Sequence, residues 1–310
     1  MTAENLPTTA SMSTMWAITN YSDLNEFFRI AKTLGATKIE LNHQIDSLML
    51  SIVNWNHYQL SSIHEPCPAD VSTKELVNRD WVISSNDEDC RRQGVRAVMN
   101  SIQLASERGA PIVVVHCGNV AADMGHENKL RGLFKKSETH TTEYQKYKIE
   151  ISQARTAKAA PRLDAVRKSL DELLKYAATR NVILGLENRY HYMDIPVMDE
   201  MEELLDLADP GRLGFIYDVG HAQALDRLGF FKHEDWLKRY ASRMVGCHLH
   251  DVNGLTDHLA PGLGEIDFGI IAHYLPDTAF RTLELRPGNT LAQVKHGLLL
   301  LVEAGCIKYL

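Results

Sequence analysis

Residues 214–222 read GFIYDVGHA and combine a predicted strand with two candidate metal ligands. The apolar run 215–217 ends at Asp218, and His221 follows three positions later. In an α/β chain the loop after a parallel strand faces the active site, so this carboxylate and this imidazole can bind one metal ion. The alternative is structural, with Asp218 capping the next helix and His221 packing within it.

The same order of apolar strand, polar residue and helix recurs along the chain. Helical spacing is typical of the intervening residues, for example 24–34, 86–108 and 291–303. This alternation predicts an α/β fold, a (β/α)8 TIM barrel that forms a single domain over residues 1–310. An open doubly wound sheet is the alternative, but the glycine-rich phosphate loop expected after its first strand is not visible. The predicted strands are 16–18, 38–41, 60–63, 111–115, 182–186, 215–218, 244–247 and 280–283.

Two segments depart from this rhythm. Residues 121–160 are polar and strongly charged, which predicts a helical insertion after the fourth strand. Acidic and basic side chains are interleaved in this segment. That pattern favours a solvated lid or a contact between copies of the chain over a nucleic-acid-binding surface. Residues 1–14 are polar and lack the charged-then-apolar order of a signal peptide, so we expect them to be disordered.

The composition is that of an ordinary soluble protein, and we expect a cytoplasmic location. A net charge of −7 disfavours a dedicated nucleic-acid-binding protein, and no apolar run is long enough to predict a membrane span. The five cysteines form no CxxC pair, which indicates reduced thiols. Cys67 and Cys117 stand beside candidate site histidines, and we interpret them as buried thiols. A homo-oligomer is compatible with all of this.

Metal-binding residue types close six consecutive predicted strands, the third to the eighth. In a barrel these strand ends meet at one mouth, although they are far apart in sequence. Carboxylates and imidazoles together predict a site for a divalent metal, Mn²⁺ or Zn²⁺, with one ion or more. Period-2 alternation places both histidines of the seventh strand on one face, and His258 lies in the loop that follows. The residues at the six strand ends are His64, His116, Glu187, Asp218, His248 with His250, and Glu284.

These motifs resemble the xylose-isomerase-like TIM barrels, a superfamily that contains sugar-phosphate isomerases and epimerases together with the endonuclease IV enzymes. The resemblance extends over most of the chain apart from the insertion. It is carried, in this order, by SIHEP, VVVHCG, GLENR, YDVGHA, HLHDVNGLTDHLAPGLGEID and LELRPG.

The epimerase branch implies one ion and two catalytic glutamates. In that branch Glu187 and Glu284 move a proton on opposite faces of a sugar through a metal-stabilised enediolate. The resemblance implies that His221, Arg286, His64 and His116 contact the substrate. One departure is that HLHDVNGL lacks the Glu and Arg that usually follow the His-x-His pair. The ion ligands implied by this branch are Glu187, Asp218, His250 and Glu284.

The endonuclease branch implies three zinc ions and hydrolysis of abasic DNA. Its third ion should be held by His221, His258 and an Asp two residues earlier, where this chain has Thr256 and then Asp257. We therefore predict a sugar or sugar-phosphate isomerase or epimerase, with this hydrolase or a metal-dependent lyase or dehydratase as alternatives. In the endonuclease branch the first ion would be bound by His64, His116 and Glu187, and the second by Glu187, Asp218, His248 and Glu284.

Overall fold

Eight parallel strands close into a barrel in the computed structural model, which describes residues 6–120 and 124–310. Neighbours in the barrel follow chain order, and the last barrel strand pairs with the first. The predicted (β/α)8 TIM barrel is therefore confirmed. The barrel strands are β1 (Thr8–Ser13), β2 (Ala36–Leu41), β3 (Leu60–His64), β4 (Ile112–Val115), β5 (Ile183–Glu187), β6 (Leu213–Asp218), β7 (Met244–Leu249) and β10 (Phe280–Leu283), while β8 (Asp251–Asn253) and β9 (Thr256–Leu259) form a separate antiparallel pair.

The helices begin and end at residues with clear capping chemistry. Helix α4 begins after Asp87, whose side chain accepts a hydrogen bond from the backbone N–H of Cys90, and it ends at Gly109 with a left-handed φ of 72°. Helix α11 begins with a capping box between Thr290 and Gln293. The helices are α1 (Leu24–Thr33), α2 (Ser47–Ser51), α3 (Thr73–Asn78), α4 (Glu88–Arg108), α5 (Gly125–Lys135), α6 (Thr142–Ala178), α7 (Met198–Leu205), α8 (Val219–Arg227), α9 (His233–Tyr240), α10 (Phe268–Tyr274) and α11 (Leu291–Glu303).

The first strand lies earlier than predicted. The expected strand at 16–18 is wrong, because Thr14–Ala17 forms a short 3-10 helix and β1 precedes it. The expected disorder is likewise wrong for Thr8–Ser13, which pairs with both β2 and β10; residues 1–5 lie outside the described part. The polar side chains of this strand contact other polar groups inside the barrel. For example, Ser11 Oγ lies 2.6 Å from Ser61 Oγ.

The charged insertion after β4 is helical, as predicted. It contains α5 and the first half of α6, while residues 121–123 lie outside the described part. The insertion does not end where the predicted segment 121–160 ends, because α6 runs unbroken through Pro161. Tyr144 in α6 donates a hydrogen bond to the Leu228 carbonyl at 3.1 Å, which ties this long helix to the segment after α8.

A hairpin after β7 was missed by the sequence reading. Asn253 pairs with Thr256, so the loop between β8 and β9 is Gly254-Leu255, and the φ of 59° at Gly254 suits glycine at the first loop position. Asp251 fixes the loop that follows by accepting four backbone N–H groups. The donors are Val252, Gly262, Gly264 and Ile266.

Across residues 6–120 and 124–310, the helices lack the combination of length and apolar character that crossing a membrane requires.

Candidate active site

Four neighbouring strands bring three carboxylates to one imidazole at the mouth of the barrel. Nδ1 of His248 lies 2.8 Å from Glu187 Oε1, 3.1 Å from Glu284 Oε2 and 3.6 Å from Asp218 Oδ2. The strands are β5, β6, β7 and β10, which are consecutive around the barrel. All four side chains are buried.

The three carboxylates remain ionised although they are buried. Burial alone would raise the pKa of Glu187, but the charge of His221 and contacts with His116 and His248 hold that pKa well below its usual range. Burial opposes ionisation of Glu284 as well, and His248 and His64 lower its pKa well below the ordinary carboxyl value. The pKa of His248 is raised well above normal, since Glu40 and Glu284 outweigh the effect of burial. Protonated imidazole therefore provides the counter-charge.

His64 and His116 form a second layer beside this centre. Their Nε2 atoms are 2.6 Å apart, while His64 Nδ1 lies 3.3 Å from Glu284 Oε1 and His116 Nε2 lies 3.1 Å from Glu187 Oε2. Burial lowers the pKa of both rings. In His64 the contact with Glu284 overcomes it and raises the pKa, whereas in His116 the charge of Arg189 lowers the pKa further. His64 is thus the proton carrier of the pair.

His250 and His248 have different surroundings, although both were predicted to face inward. His250 Nε2 lies 3.1 Å from both oxygens of Asp218, and its Nδ1 accepts the backbone N–H of His258 at 2.9 Å. Burial lowers the pKa of His250, but Asp218 more than compensates and raises it to about 9. The structure therefore places His248, and not His250, among all three carboxylates.

A further group lies on the opposite side of Asp218. Ligand atoms of His221, Asp257 and His258 all fall within 4.8 Å of one another. His221 Nδ1 is 3.0 Å from the Asn188 carbonyl and 3.6 Å from Asp218 Oδ1, and His258 Nδ1 is 3.0 Å from the Glu284 carbonyl. The hairpin missed in the sequence is what carries Asp257 and His258 to the mouth.

Arg286 lies apart from these groups. Its side chain is exposed, and its backbone N–H donates to the His258 carbonyl at 3.0 Å. The arginine at the centre is Arg189, whose Nη1 lies 2.5 Å from Glu187 Oε2. Arg189 was missed, although it stands two positions after Glu187 in GLENR.

Glu40 and His43 were also missed. Glu40 Oε2 lies 3.1 Å from His248 Nε2, so the second strand contributes a carboxylate as well. The ring of His43, just after β2, lies 5.2 Å from that of His64. Burial and the charge of His64 lower the pKa of His43 to about 4. The strand-end pattern that identified the other residues was traced only from the third strand. Extending it by one strand would have found His43 but not Glu40, which lies inside β2.

The cysteines near the site carry no reactive thiolate. Cys67 and Cys117 are buried and unpaired, and burial raises the pKa of each thiol. Both therefore stay protonated, in accord with their interpretation as packing residues.

The residues of this centre fit a divalent cation. Ligand atoms of His64, Glu187, His248 and Glu284 lie within 4.8 Å of one another, a mixed imidazole and carboxylate set suited to Zn²⁺ or Mn²⁺. Glu284 Oε1 and His64 Nδ1 are buried and make no hydrogen bond in the described residues. Buried carboxylates at this density are stable only with positive charge between them, and a bound cation would supply it.

An open cavity borders this centre. Its volume is about 90 Å³, smaller than the roughly 300–1,000 Å³ of typical small-molecule sites. Its polar walls are Glu65, His116, Asn119, Arg189 and Asp194, and its apolar walls include Trp81. Burial raises the pKa of Glu65 to about 7.

Comparison with known proteins agrees with this architecture. The family model described as "Xylose isomerase-like TIM barrel" matches residues 28–299. An uncharacterised protein, y4fM of Sinorhizobium fredii, is 24% identical over 230 residues, which is 70% of this chain and 58% of that protein. Inosose dehydratase of Geobacillus kaustophilus is 33% identical over 92 residues, 29% of each chain. The chain thus matches little more than half the length of the first relative and less than a third of the second.

Solved structures share the fold over nearly their whole length. The IOLI protein with a bound zinc atom superimposes with a TM-score of 0.66 at 15% identity, covering 97% of this chain and 99% of that one. L-ribulose 3-epimerase gives 0.65 at 13% identity, covering 97% and 95%. The 3-keto-D-glucoside 4-epimerase YcjR from E. coli gives 0.64 at 14% identity, covering 95% and 99%. At these identities the likeness shows the fold alone.

Proposed function

The chain belongs to the xylose isomerase-like TIM barrel family, and we propose that it is a divalent-metal-dependent isomerase or epimerase of a sugar or sugar phosphate. The observation that carries this proposal is the meeting of Glu187, Asp218 and Glu284 at Nδ1 of His248. Glu187 ends β5 and Glu284 follows β10, the outer two of four adjacent strands. Two ionised glutamates in these positions suit a reaction in which a proton is removed from a substrate carbon and returned.

Four residues would hold the ion. These are Glu187, Asp218, His248 and Glu284, since the three carboxylates lie 2.8–3.6 Å from His248 Nδ1, and Zn²⁺ and Mn²⁺ suit such a mixture of ligands. When bound, the cation would polarise a carbonyl oxygen of the substrate and acidify the neighbouring C–H.

The two glutamates would exchange the proton with the substrate carbon. Both have a pKa well below normal, so both are ionised and able to accept a proton at neutral pH. His64 lies 3.3 Å from Glu284 and would hold or return a proton on that side. On the other side Arg189 and His116 contact Glu187 and would orient its carboxylate.

The substrate would lie at the mouth of the barrel beside His116 and Arg189 and extend toward the open cavity. Glu65, Asn119 and Asp194 offer hydrogen-bond partners there, as the hydroxyl groups of a carbohydrate require. His221, whose ring lies 5.8 Å from that of Tyr190, would contact the end of the substrate nearest Asp218.

Metal analysis and solvent deuterium exchange test this function. The purified chain, loaded with Zn²⁺ or Mn²⁺, should retain one ion and should incorporate deuterium from D₂O into a carbon-bound position of at least one ketose, aldose or sugar phosphate. Glu284→Gln should abolish the exchange. The matched control is Glu265→Gln, because Glu265 is 62% exposed and lies on the surface near Arg227. Absence of exchange across the panel, with the ion in place, would contradict the proposal.

A hydrolase with several ions is the second candidate, and the group of His221, Asp257 and His258 favours it. The family resemblance implies that a third ion needs an Asp two residues before the histidine, where Thr256 stands. A carboxylate oxygen of the neighbouring Asp257 nevertheless lies within 4.8 Å of a ring nitrogen of both His221 and His258. Together with the His64 and His116 pair, the chain offers ligands for more than one ion.

Two measurements separate the candidates. Two or three zinc ions per chain together with cleavage of a duplex that contains an abasic site would establish the hydrolase. Loss of water from an inosose or polyol, seen as a dehydrated product in the same panel, would instead establish a lyase, the reaction named for the Geobacillus relative.

A further inference from the structure

Glu40 contacts the site from inside the barrel, beneath the mouth. It lies on β2 and is fully buried, and its Oε2 is 3.1 Å from Nε2 of His248 on β7. The other nitrogen of the same ring, Nδ1, faces Glu187 and Glu284. The imidazole of His248 is therefore held between one carboxylate below and the proposed cation ligands above.

Serine hydroxyls fix the orientation of Glu40. Ser62 Oγ donates to the same Oε2 atom at 2.6 Å. Ser61 Oγ lies 3.2 Å from Ser62 Oγ and 2.6 Å from Ser11 Oγ, so three hydroxyls from β1 and β3 support the carboxylate. Barrel interiors are usually filled by branched apolar side chains, and a polar layer at this level calls for an explanation.

The direction of these hydrogen bonds decides which ring nitrogen carries a proton. A carboxylate oxygen accepts hydrogen bonds, so the contact between Glu40 and His248 requires the proton on Nε2. Nδ1 also faces carboxylate oxygens, so by the same rule it carries a proton as well. A cation between those carboxylates would displace the Nδ1 proton and receive its lone pair, while Glu40 keeps the proton on Nε2. This is the tautomer that a cation bound between those carboxylates requires.

Stability alone does not account for Glu40. Its Oε1 atom is buried and has no hydrogen-bond partner in the described residues. A buried carboxylate left half satisfied costs free energy, and an apolar side chain of similar volume would fill the position at least as well. We therefore attribute the presence of the Glu40 carboxylate to its hydrogen bond with His248.

We propose that Glu40 is a positioning residue that locks the ring orientation and the Nε2–H tautomer of His248, so that Nδ1 can bind the catalytic cation. The inference rests on the proposed function, because it requires a cation at this centre. Outer partners of a metal-ligating histidine typically contribute a factor of about 10 to 100 in metal affinity.

Three variants test the inference, with zinc affinity measured by competition with a chromophoric chelator. Glu40→Gln can offer an amide N–H to Nε2 and so favour the opposite tautomer, and we expect it to weaken zinc binding by about 10- to 100-fold. Ser62→Ala leaves Glu40 in place without its orienting donor, and we expect a smaller loss in the same direction. Thr282→Val is the matched control, because Thr282 is buried beside His248 in the strand register and its hydroxyl has no hydrogen-bond partner in the described residues.

A second readout separates positioning from a merely structural role. The ¹⁵N shifts of the His248 ring in zinc-loaded protein should report a protonated Nε2 in the wild type and in Thr282→Val. A structural role would lower the melting temperature of Glu40→Gln and leave zinc affinity and ring shifts of the folded protein unchanged, which would overturn the inference.

Zinc binding by the wild type and by the variants distinguishes failure of the proposed function from failure of the role of Glu40. If the wild-type chain takes up neither zinc nor manganese, the proposed function fails, and this inference with it. If the wild type binds zinc and both Glu40→Gln and Ser62→Ala bind it equally well, only the role of Glu40 is refuted.

Discussion

The Nε2 atoms of His64 and His116 lie 2.6 Å apart, close enough that one ring must donate a proton to the other. The opposite shifts of their pKa values make His64 the donor and His116 the acceptor. Each ring also contacts one of the two glutamates at the centre. Since His116 Nε2 accepts from His64, that atom cannot also donate to Glu187 Oε2, so the pair is hydrogen-bonded on the Glu284 side and only adjacent to Glu187.

His116→Asn distinguishes a substrate contact from a metal ligand at this pair. Under the proposed function the variant should keep one ion per chain and lose turnover by about 10- to 100-fold, the loss expected for one hydrogen bond to a charged group. Metal content and turnover are measured on the same preparation. Loss of an ion would instead support the hydrolase, in which His116 is a ligand.

Asp218 has two roles that one pair of variants can separate. Its side chain accepts the His221 backbone N–H at 2.7 Å and so caps α8, and it also faces His248. The sequence left these roles as alternatives, whereas the structure shows the cap and the site contact in one residue. Asn caps helices about as well as Asp, so Asp218→Asn should retain the fold.

The expected result for Asp218→Asn is a near-normal melting temperature with cation affinity reduced by more than the roughly 10- to 100-fold loss seen for outer partners. Asp218→Ala should lose the cap as well, at a cost of about 1 kcal/mol in unfolding free energy. Calorimetric titration with zinc and thermal unfolding report the two effects. Unchanged zinc affinity in Asp218→Asn would remove Asp218 from the ligand set.

The strand-end pattern predicted most of the site because each of its acids closes an apolar strand. Glu187 and Asp218 are the last residues of β5 and β6, and Glu284 follows β10 directly. Parallel strands in a closed barrel must deliver such residues to one mouth. The positions therefore follow from local sequence and topology, without knowledge of any side-chain contact.

The same pattern does not decide between His248 and His250. Alternation places both on one face, but β7 ends at Leu249 and the chain leaves the ladder there. His250 then turns to the hairpin, where the His258 N–H occupies its Nδ1. The choice depends on a loop geometry that alternation in the sequence does not encode.

Polar barrel residues were missed for a related reason. The segment TTASMS carries no apolar run, so β1 was placed too late, and Glu40 lies inside β2 and not after it. Both face other polar groups within the barrel. Arg286 was predicted from the family resemblance and Arg189 was not considered, whereas the structure shows Arg286 exposed and Arg189 in contact with Glu187.

Acid should weaken the attachment of α5 through Glu127. This carboxylate is buried and contacts Arg131 and His191. Burial alone would raise its pKa, but His191 and Arg131 lower it below the ordinary value. A lowered pKa in the folded state means that the stabilisation is present above the unfolded pKa, near 4.5, and is lost as the pH falls through the folded value.

Glu127→Gln should therefore reduce the unfolding free energy at pH 7 by about 1.5–3 kcal/mol, because Arg131 loses its charged partner but keeps its hydrogen bond to the Tyr190 carbonyl. The difference between wild type and variant should shrink as the pH falls below 4.5, the unfolded value. Urea unfolding at pH 7 and at acid pH measures it. A difference that stays constant with pH would show that ionised Glu127 does not stabilise the fold.

Gly220 provides a test of how closely α8 approaches the site. A Cβ at this position would stand 2.2 Å from His250 Cε1 and 2.9 Å from its Nδ1, distances that real Cβ atoms do not adopt. Gly220→Ala must therefore displace the His250 ring, which contacts both oxygens of Asp218 and the N–H of His258. We expect a loss of about 1–3 kcal/mol in unfolding free energy from overpacking, together with weaker zinc binding.

The matched control for Gly220→Ala is Gly132→Ala, since Gly132 is also helical but its Cβ would meet nothing within 4 Å. That control should gain about 0.5–1 kcal/mol from helix propensity and bind zinc normally. Equal zinc affinity in the two variants would mean that His250 can move without disturbing Asp218, and that the contact between them does not support the site.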